Sequence, residues 1–212
     1  MFKNFIVLAY RHFVRSPLSS FIELFGMTAG LTVFLLVMLW VFNETGYDSF
    51  NEKADRIYRL EHVRPGKETR TRGGTMKGHL IKQYIPEVEK VVRFRAMGSD
   101  HNYVNRINSE GVKNYYDIGT EIYADNDFFD TFTFDFVAGD PKTALIEKNT
   151  AVITASFAKT LFGKENAIGK VLSEKLTITG VVKDVPNFHI PFKMIKSFVT
   201  LADRPDYIAN GG

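Results

Sequence analysis

Cysteine is missing from all 212 residues. Its absence excludes disulfides, thiol nucleophiles and thiolate metal ligands. It does not exclude an oxidising compartment; it leaves stability to the core. Histidine is sparse, at His12, His62, His79, His101 and His189, and no two stand at zinc-ligand spacing. The phosphate-cradling G-x-x-x-x-G-K-[ST] loop, the H-E-x-x-H zinc helix and the G-x-S-x-G nucleophile elbow are absent too. Asp125-Asn-Asp127 opens like a calcium loop but lacks the glycine and the closing glutamate, so these residues read as turn formers. The expectation is therefore no enzyme, no cofactor and no metal.

A strong charge imbalance is also lacking. Of 27 Lys and Arg, three precede residue 43, and of 24 Asp and Glu, one does. Residues 43–212 thus carry a net charge of only +1. A nucleic-acid partner is not expected, because it requires a basic stripe on one face. Lys67, Arg70 and Arg72 cluster in a loop that reads as solvated rather than anion-binding.

Charge disappears entirely from Leu24 to Phe42, a run of 19 residues. Crossing the hydrocarbon of a bilayer takes roughly 20 apolar residues at about 1.5 Å each. Lipid offers no partner for backbone amides, so the segment must satisfy them as a helix. Trp40 stands near its far end, where an indole suits the interface. The alternative, a buried helix of a soluble core, seldom runs so long without a charge. The run exceeds the 7–15 residues usual for a signal peptide, and Val41-Phe42-Asn43 is no cleavage site, so an uncleaved anchor over 18–42 is expected.

Lys3, Arg11 and Arg15 precede the span, whereas Glu44, Asp48 and Glu52 follow it before Lys53. The positive-inside rule places the N-terminus in the cytoplasm and residues 43–212 outside the cytoplasmic membrane. Residues 1–15 have a helical period, with Phe2, Phe5, Ile6, Ala9 and Phe13 on one face and the basic groups on the other. Two readings stay open for this helix: one lying on the inner membrane surface with Lys3, Arg11 and Arg15 at lipid phosphates, or one packed with a solvated basic face. Ser16-Pro17 ends it, and Pro17 can open the next helix. Gly26 and Gly30 form a small-xxx-small pattern, with Thr28 beside them, through which membrane helices can approach closely.

Beyond the span, Tyr47 and Phe50 are candidate anchors. Alternation predicts a strand over 56–63, and a helix follows over 76–88 with Leu80, Ile81 and Tyr84 on one side, ended by Pro86. Strands are expected over 91–97, 102–107 and 112–116, the last two joined by a turn, and over 121–124. Phe132, Phe134 and Phe136 alternate with Thr133 and Asp135, which predicts a strand with three rings packed in the core. Gly139-Asp-Pro141 is a turn. A strand over 151–153 leads to Thr154 as the cap of a helix over 155–162 that Gly163 stops, and 176–182 is a further strand. The order of elements predicts an α+β domain rather than an alternating parallel one.

Several segments together carry a resemblance. Tyr10-Arg-His-Phe-Val-Arg-Ser-Pro-Leu-Ser-Ser-Phe21, leading into a glycine-containing span, resembles the entry of MacB/FtsX-type ABC transporter permeases. Tyr47-Asp-Ser-Phe-Asn-Glu-Lys-Ala-Asp-Arg-Ile-Tyr-Arg-Leu60 is similar to the segment leaving the first span in Bacteroidetes members. Asp127-Phe-Phe-Asp-Thr-Phe132 with Gly139-Asp-Pro141 resembles their next motif. Asn149-Thr-Ala-Val-Ile-Thr154, Ala158-Lys-Thr-Leu-Phe-Gly163 and Ile168-Gly-Lys170 follow in order. Ile178-Thr-Gly-Val-Val-Lys-Asp-Val-Pro186 with His189, Pro191 and Phe192 closes the series. The resemblance implies a MacB-like periplasmic core domain over 43–212 behind one transmembrane helix, all in the cell inner membrane. It implies a non-catalytic transporter subunit whose partners are a cytoplasmic ABC ATPase subunit, the lipid bilayer, and other permease helices or a second permease copy. Such members act in efflux or mechanotransmission. With a single span, the chain is expected to be an N-terminal fragment of a longer permease, its domain incomplete at the C-terminus. The competing class is a single-span periplasmic sensor or ligand-binding protein; only 20 residues precede the span, too few for a signalling domain.

Overall fold

The computed structural model describes residues 2–61, 77–97, 102–108, 110–173, 175–185 and 188–203, with the side chains of 2, 3, 5, 9 and 77–79 outside that set. The basic loop of Lys67, Arg70 and Arg72, together with His62, His101 and Pro186, lies outside the described residues. The chain divides into two units, Met1–Tyr47 and Asp48–Gly212.

The first unit is two helices, α1 (Phe2–Arg15) and α2 (Pro17–Thr45). Ser16 separates them with non-helical backbone, and its hydroxyl donates back to the His12 carbonyl at 3.2 Å instead of capping α2. Pro17 occupies the first turn of α2, where its missing N–H removes no helical bond. At 29 residues, α2 is longer than the 18–42 span read from hydropathy. That corresponds to about 44 Å, more than the ~30 Å hydrocarbon layer requires. None of its most apolar window is buried against protein. The hydroxyls of Thr32 and Thr45 donate to the carbonyls of Thr28 and Val41, at 2.7 and 2.8 Å, so these polar groups are satisfied within the helix.

The second unit is built on a mixed sheet. Its strands are β1 (Phe94–Met97), β4 (Glu121–Ala124), β5 (Phe136–Gly139), β6 (Thr150–Thr154), β7 (Val171–Leu172), β8 (Leu176–Val182) and β9 (Met194–Ser197). They run in the order β1-β4-β9-β6-β8-β5, with β7 beside β8. The pairs β4–β9 and β6–β8 are parallel and the rest antiparallel. A separate hairpin joins β2 (Tyr103–Ile107) to β3 (Lys113–Asp117). Its turn is held by the Asn108 side chain, which accepts from the Glu110 and Val112 amides at 3.0 and 2.8 Å.

Strand β6 is buried along its whole length, which explains why Thr150-Ala-Val-Ile-Thr154 shows no polar alternation. Ala151 and Ile153 face one core with Phe157, Leu161 and Phe162 of α5 (Ala155–Phe162). Val152 faces the opposite core, which is rich in phenylalanine. Thr154 caps α5 by accepting from the Phe157 amide, and Gly163 ends the helix at φ 65°. The Asp184 carboxylate adds two bonds at that helix start, from the Ser156 amide at 3.0 Å and its hydroxyl at 2.5 Å. Negative charge there also matches the helix dipole.

Three expectations are corrected. Residues 57–61 form no strand; a 3-10 turn at Ala54–Arg56 precedes them, and Tyr58 and Leu60 are exposed. Among the described residues, no partner strand stands beside this alternation to bury it. The helix expected over 76–88 is the shorter α3 (Lys77–Tyr84), with Leu80 and Tyr84 exposed. The strand expected over 132–136 starts only at Phe136, because α4 (Phe128–Thr131) and an irregular stretch occupy the rest. The last elements, β9 and α6 (Phe198–Ala202), carry no clear signal in the sequence.

Candidate functional site

The chain enters the second unit at Asp48, whose backbone lies in the left-handed region at φ 57°. Aspartate tolerates that region better than bulkier residues do. From there, residues 48–56 are fastened to two distant stretches, 128–136 and 188–192. Asn51, 6% exposed, uses both ends of its amide: Oδ1 accepts from the Thr133 amide at 2.9 Å, and Nδ2 donates to the Asp48 carbonyl at 2.9 Å. In return the Glu52 amide donates to the Thr133 hydroxyl at 3.0 Å. The Lys53 ammonium reaches the Asp130 carbonyl at 3.2 Å. The Asp48 carboxylate takes the His189 amide at 3.2 Å and stands 2.6 Å from His189 Nδ1.

Phe50 adds the apolar fastening. Its ring meets Phe134 edge-on at 5.7 Å and Phe188 at 6.2 Å. Phe50, a candidate anchor, is half-buried and packs against this core of the domain, whereas Tyr47 is 42% exposed. The hub of this core is Phe128, fully buried and within 4.8–6.3 Å of the rings of Phe129, Phe132, Phe134, Phe188 and Phe94. Edge-on and offset rings of this kind add about 0.5–1.5 kcal/mol per pair beyond burial.

The structure places Phe132 and Phe134 in this buried cluster and Phe136 half-buried beside Phe129 at 4.9 Å. The three rings converge through a turn rather than along one strand face. Asp125-Asn-Asp127 braces the same turn. Arg93 grips the Asp125 carboxylate with two guanidinium bonds of 2.8 Å and its own amide at 2.9 Å, and it lies 4.5 Å over the Phe198 ring. Asn126 bonds Lys142 and Leu145, at 2.6 and 3.2 Å. Outside, Lys90 pairs with Asp130 and Arg56 with Glu89 at 2.8 Å. The hydrogen bond from Arg56 holds the Glu89 carboxyl below its usual value and raises the guanidinium.

The remaining sequence-derived residues stand apart from this cluster. Gly26, Thr28 and Gly30 lie along α2, and a Cβ at either glycine would meet nothing within 4 Å. Arg11 and Arg15 are exposed on α1; Lys3 is on the same helix, its side chain outside the described set. Sequence reasoning missed Asp48, Asn51, Thr133 and His189 as partners. The only available signal was that Asp48 and Asn51 sit in one motif of the resemblance and His189 in another, which the fold brings to one place.

Chemically, these bonds fasten one stretch of chain to two others. The His189 imidazole is committed to Asp48, and the Thr133 hydroxyl to a backbone amide. Among the described residues, no group of three or more His, Asp or Glu is placed to hold a metal ion.

Known proteins give the following similarities. The family described as the MacB-like periplasmic core domain matches residues 20–207. A solved domain of a permease-assigned protein from Porphyromonas gingivalis is 26% identical, with a TM-score of 0.51, over 64% of this chain and 60% of that one. The periplasmic region of MacB from Actinobacillus actinomycetemcomitans is 11% identical, with a TM-score of 0.48, over 76% and 66%. The extracellular domain of the noncanonic ABC-type transporter YknZ from Gram-positive bacteria is 19% identical, with a TM-score of 0.46, over 66% and 78%. The chain therefore spans about 60% of the Porphyromonas domain. No curated protein matches it.

Proposed function

The chain belongs to the MacB-like periplasmic core domain family, and from that premise we propose that it is a permease component of an ABC-type transporter. In this reading α2 crosses the inner membrane, with the N-terminus in the cytoplasm and the second unit in the periplasm. Lys3, Arg11 and Arg15 of α1 face lipid phosphates on the inner surface. Gly26, Thr28 and Gly30 pack against other permease helices or a second copy. A separate cytoplasmic ATPase supplies the energy, and the chain conveys it to the periplasmic domain for efflux or mechanotransmission.

The fastening of residues 48–56 carries the reading. Only Gly46 and Tyr47 lie between the end of α2 at Thr45 and the first fastened residue, Asp48. A passive tether would need no buried asparagine and no ring in the core at that point. A coupling element does, because slack in the connection would absorb displacement before it reached the sheet.

The absence of cysteine makes the test clean. Asn114→Cys, on the exposed edge of β3, should react with an impermeant maleimide in intact spheroplasts. Co-expression with candidate ABC ATPases of the same genome should yield a copurifying complex that hydrolyses ATP. Labelling only after lysis would reverse the orientation. A correctly oriented chain that recruits no ATPase would favour the sensor class instead.

A further inference from the structure

The segment 48–56 differs from the rest of the second unit in how its backbone is satisfied. Most of its backbone bonds close within itself: the Asn51 amide donates to the Asp48 carbonyl at 3.1 Å, Ala54 to Asn51 at 3.1 Å and Arg56 to Lys53 at 2.9 Å, while the Glu52 amide reaches out to the Thr133 hydroxyl at 3.0 Å. It joins no strand of the sheet. It can therefore leave the domain with its own turns intact. Its outer fasteners are exposed: the Asp48 and His189 side chains are 35% and 43% accessible, the Arg56–Glu89 pair is more exposed still, and Lys53 holds only a carbonyl at 3.2 Å. The rings it covers have other partners: Phe134 and Phe188 pack 5.5 Å apart, and each also packs on Phe128. Strand β6, by contrast, is paired on both edges and buried throughout.

We propose that residues 48–56 form a releasable latch, which disengages from Phe134, Thr133 and His189 as a unit while the seven-stranded sheet stays folded. Proteins open locally where backbone bonds are exposed and buried apolar contacts are few, at lower free energy than global unfolding. The left-handed backbone at Asp48 is relieved on release, whereas the Asp48–His189 pair and the Phe50 ring hold it shut. The use of the latch rests on the permease reading. Engaged, it passes displacement of the preceding chain to the phenylalanine core; released, it uncouples the two.

Backbone hydrogen exchange of the full chain in lipid nanodiscs tests this. His189→Ala removes the imidazole contact with Asp48 and leaves the backbone amide bond, and Thr133→Val removes the hydroxyl that accepts the Glu52 amide. His189→Ala should speed exchange over 49–56 by about tenfold, the weight of one hydrogen bond to a charged group, and Thr133→Val by about fivefold, the weight of a neutral one. Peptides covering 150–154 and 176–182 should keep their protection. Unchanged exchange over 49–56, or a rise there matched by 150–154 and 176–182, would overturn the latch. If either variant fails to fold, the parent in mild denaturant gives the same answer: residues 49–56 must open before β6, with a smaller denaturant dependence. Local opening in a chain that recruits no ATPase would keep the latch and remove the permease reading. Purely global opening in a chain that does recruit one would do the reverse.

Discussion

Gly139 and Gly180 face each other across the β5–β8 pair, and neither has room for a side chain. A Cβ on Gly139 would run into the Thr179 carbonyl and come within 2.8 Å of the Gly180 Cα, both backbone atoms that cannot yield. Gly139 also has φ 90°, so any other residue there is strained. A Cβ on Gly180 would meet the tip of the Phe136 ring at 2.7 Å and Val152 at 3.0 Å. Gly139→Ala should therefore destabilise by at least about 2 kcal/mol, combining left-handed strain with the clash. Gly119→Ala, with positive φ but nothing within 4 Å, isolates the strain alone and should cost about 1 kcal/mol. Urea unfolding of both variants checks the ranking, and equal losses would show that the β5–β8 approach is looser than described.

The phenylalanine core makes a second ranking. Phe128→Ala or Phe134→Ala removes a buried ring and leaves a cavity, at a cost of about 3–5 kcal/mol. Asp135→Ala breaks only an exposed pair with Lys183, about 0–1 kcal/mol. Thermal melts should separate the two classes clearly. Phe134→Ala melting with Asp135→Ala would mean that Phe134 is not in the core.

Acid stability should involve two exposed carboxylates. Arg56 holds Glu89 below the ordinary 4.5, first by hydrogen bond and then by charge. Lys170 does the same to Glu165, again by hydrogen bond before charge, with Arg106 adding its charge. A carboxyl lowered on folding stabilises above its ordinary value, and that stability is lost as pH falls through the lowered one. The double variant Glu89→Gln, Glu165→Gln should therefore lose stability less steeply than the parent below about pH 4.5. Solvent screening keeps both contributions small at neutral pH. Urea midpoints measured across the acid range check this, and superimposable curves would remove the two pairs from the stability of the domain.

Local signals in the sequence were legible where one side chain decides the outcome. Thr154 and Gly163 bracket α5 because a cap and a left-handed stop are each one-residue chemistry. The β2–β3 hairpin and β8 were legible through short-range alternation and turn residues. The α+β class followed from the order of these elements. The run 132–136 misled because period two reports only that alternate residues seek burial. A turn over Phe128 satisfies that as well as a strand does. The strand expected over 56–63 failed for the converse reason, since among the described residues no strand pairs with 57–61. Least legible was the clasp, because Asn51–Thr133 and Asp48–His189 join positions 82 and 141 residues apart. No local pattern encodes such pairings.

The face of α2 bearing Gly26 and Gly30 allows a test that the structure sharpens. Within this chain, neither glycine approaches anything: a Cβ at either position has no neighbour within 4 Å, and both lie in the regular helical backbone of α2. Leucine therefore fits both places as far as this chain is concerned. It also favours membrane insertion, by roughly 0.5 kcal/mol per residue. Gly26→Leu with Gly30→Leu should insert at parental levels and leave the second unit's melting unchanged. If the face packs against another permease helix, the added side chains must push the two backbones apart. Assembly with that helix, or ATP hydrolysis coupled through it, should then fall. The readouts are membrane yield, complex size in detergent and ATPase rate with the whole permease. Because the chain itself tolerates leucine, a loss confined to assembly and coupling locates the contact in a partner. A double variant that inserts, assembles and couples like the parent would leave the glycine face with no packing role.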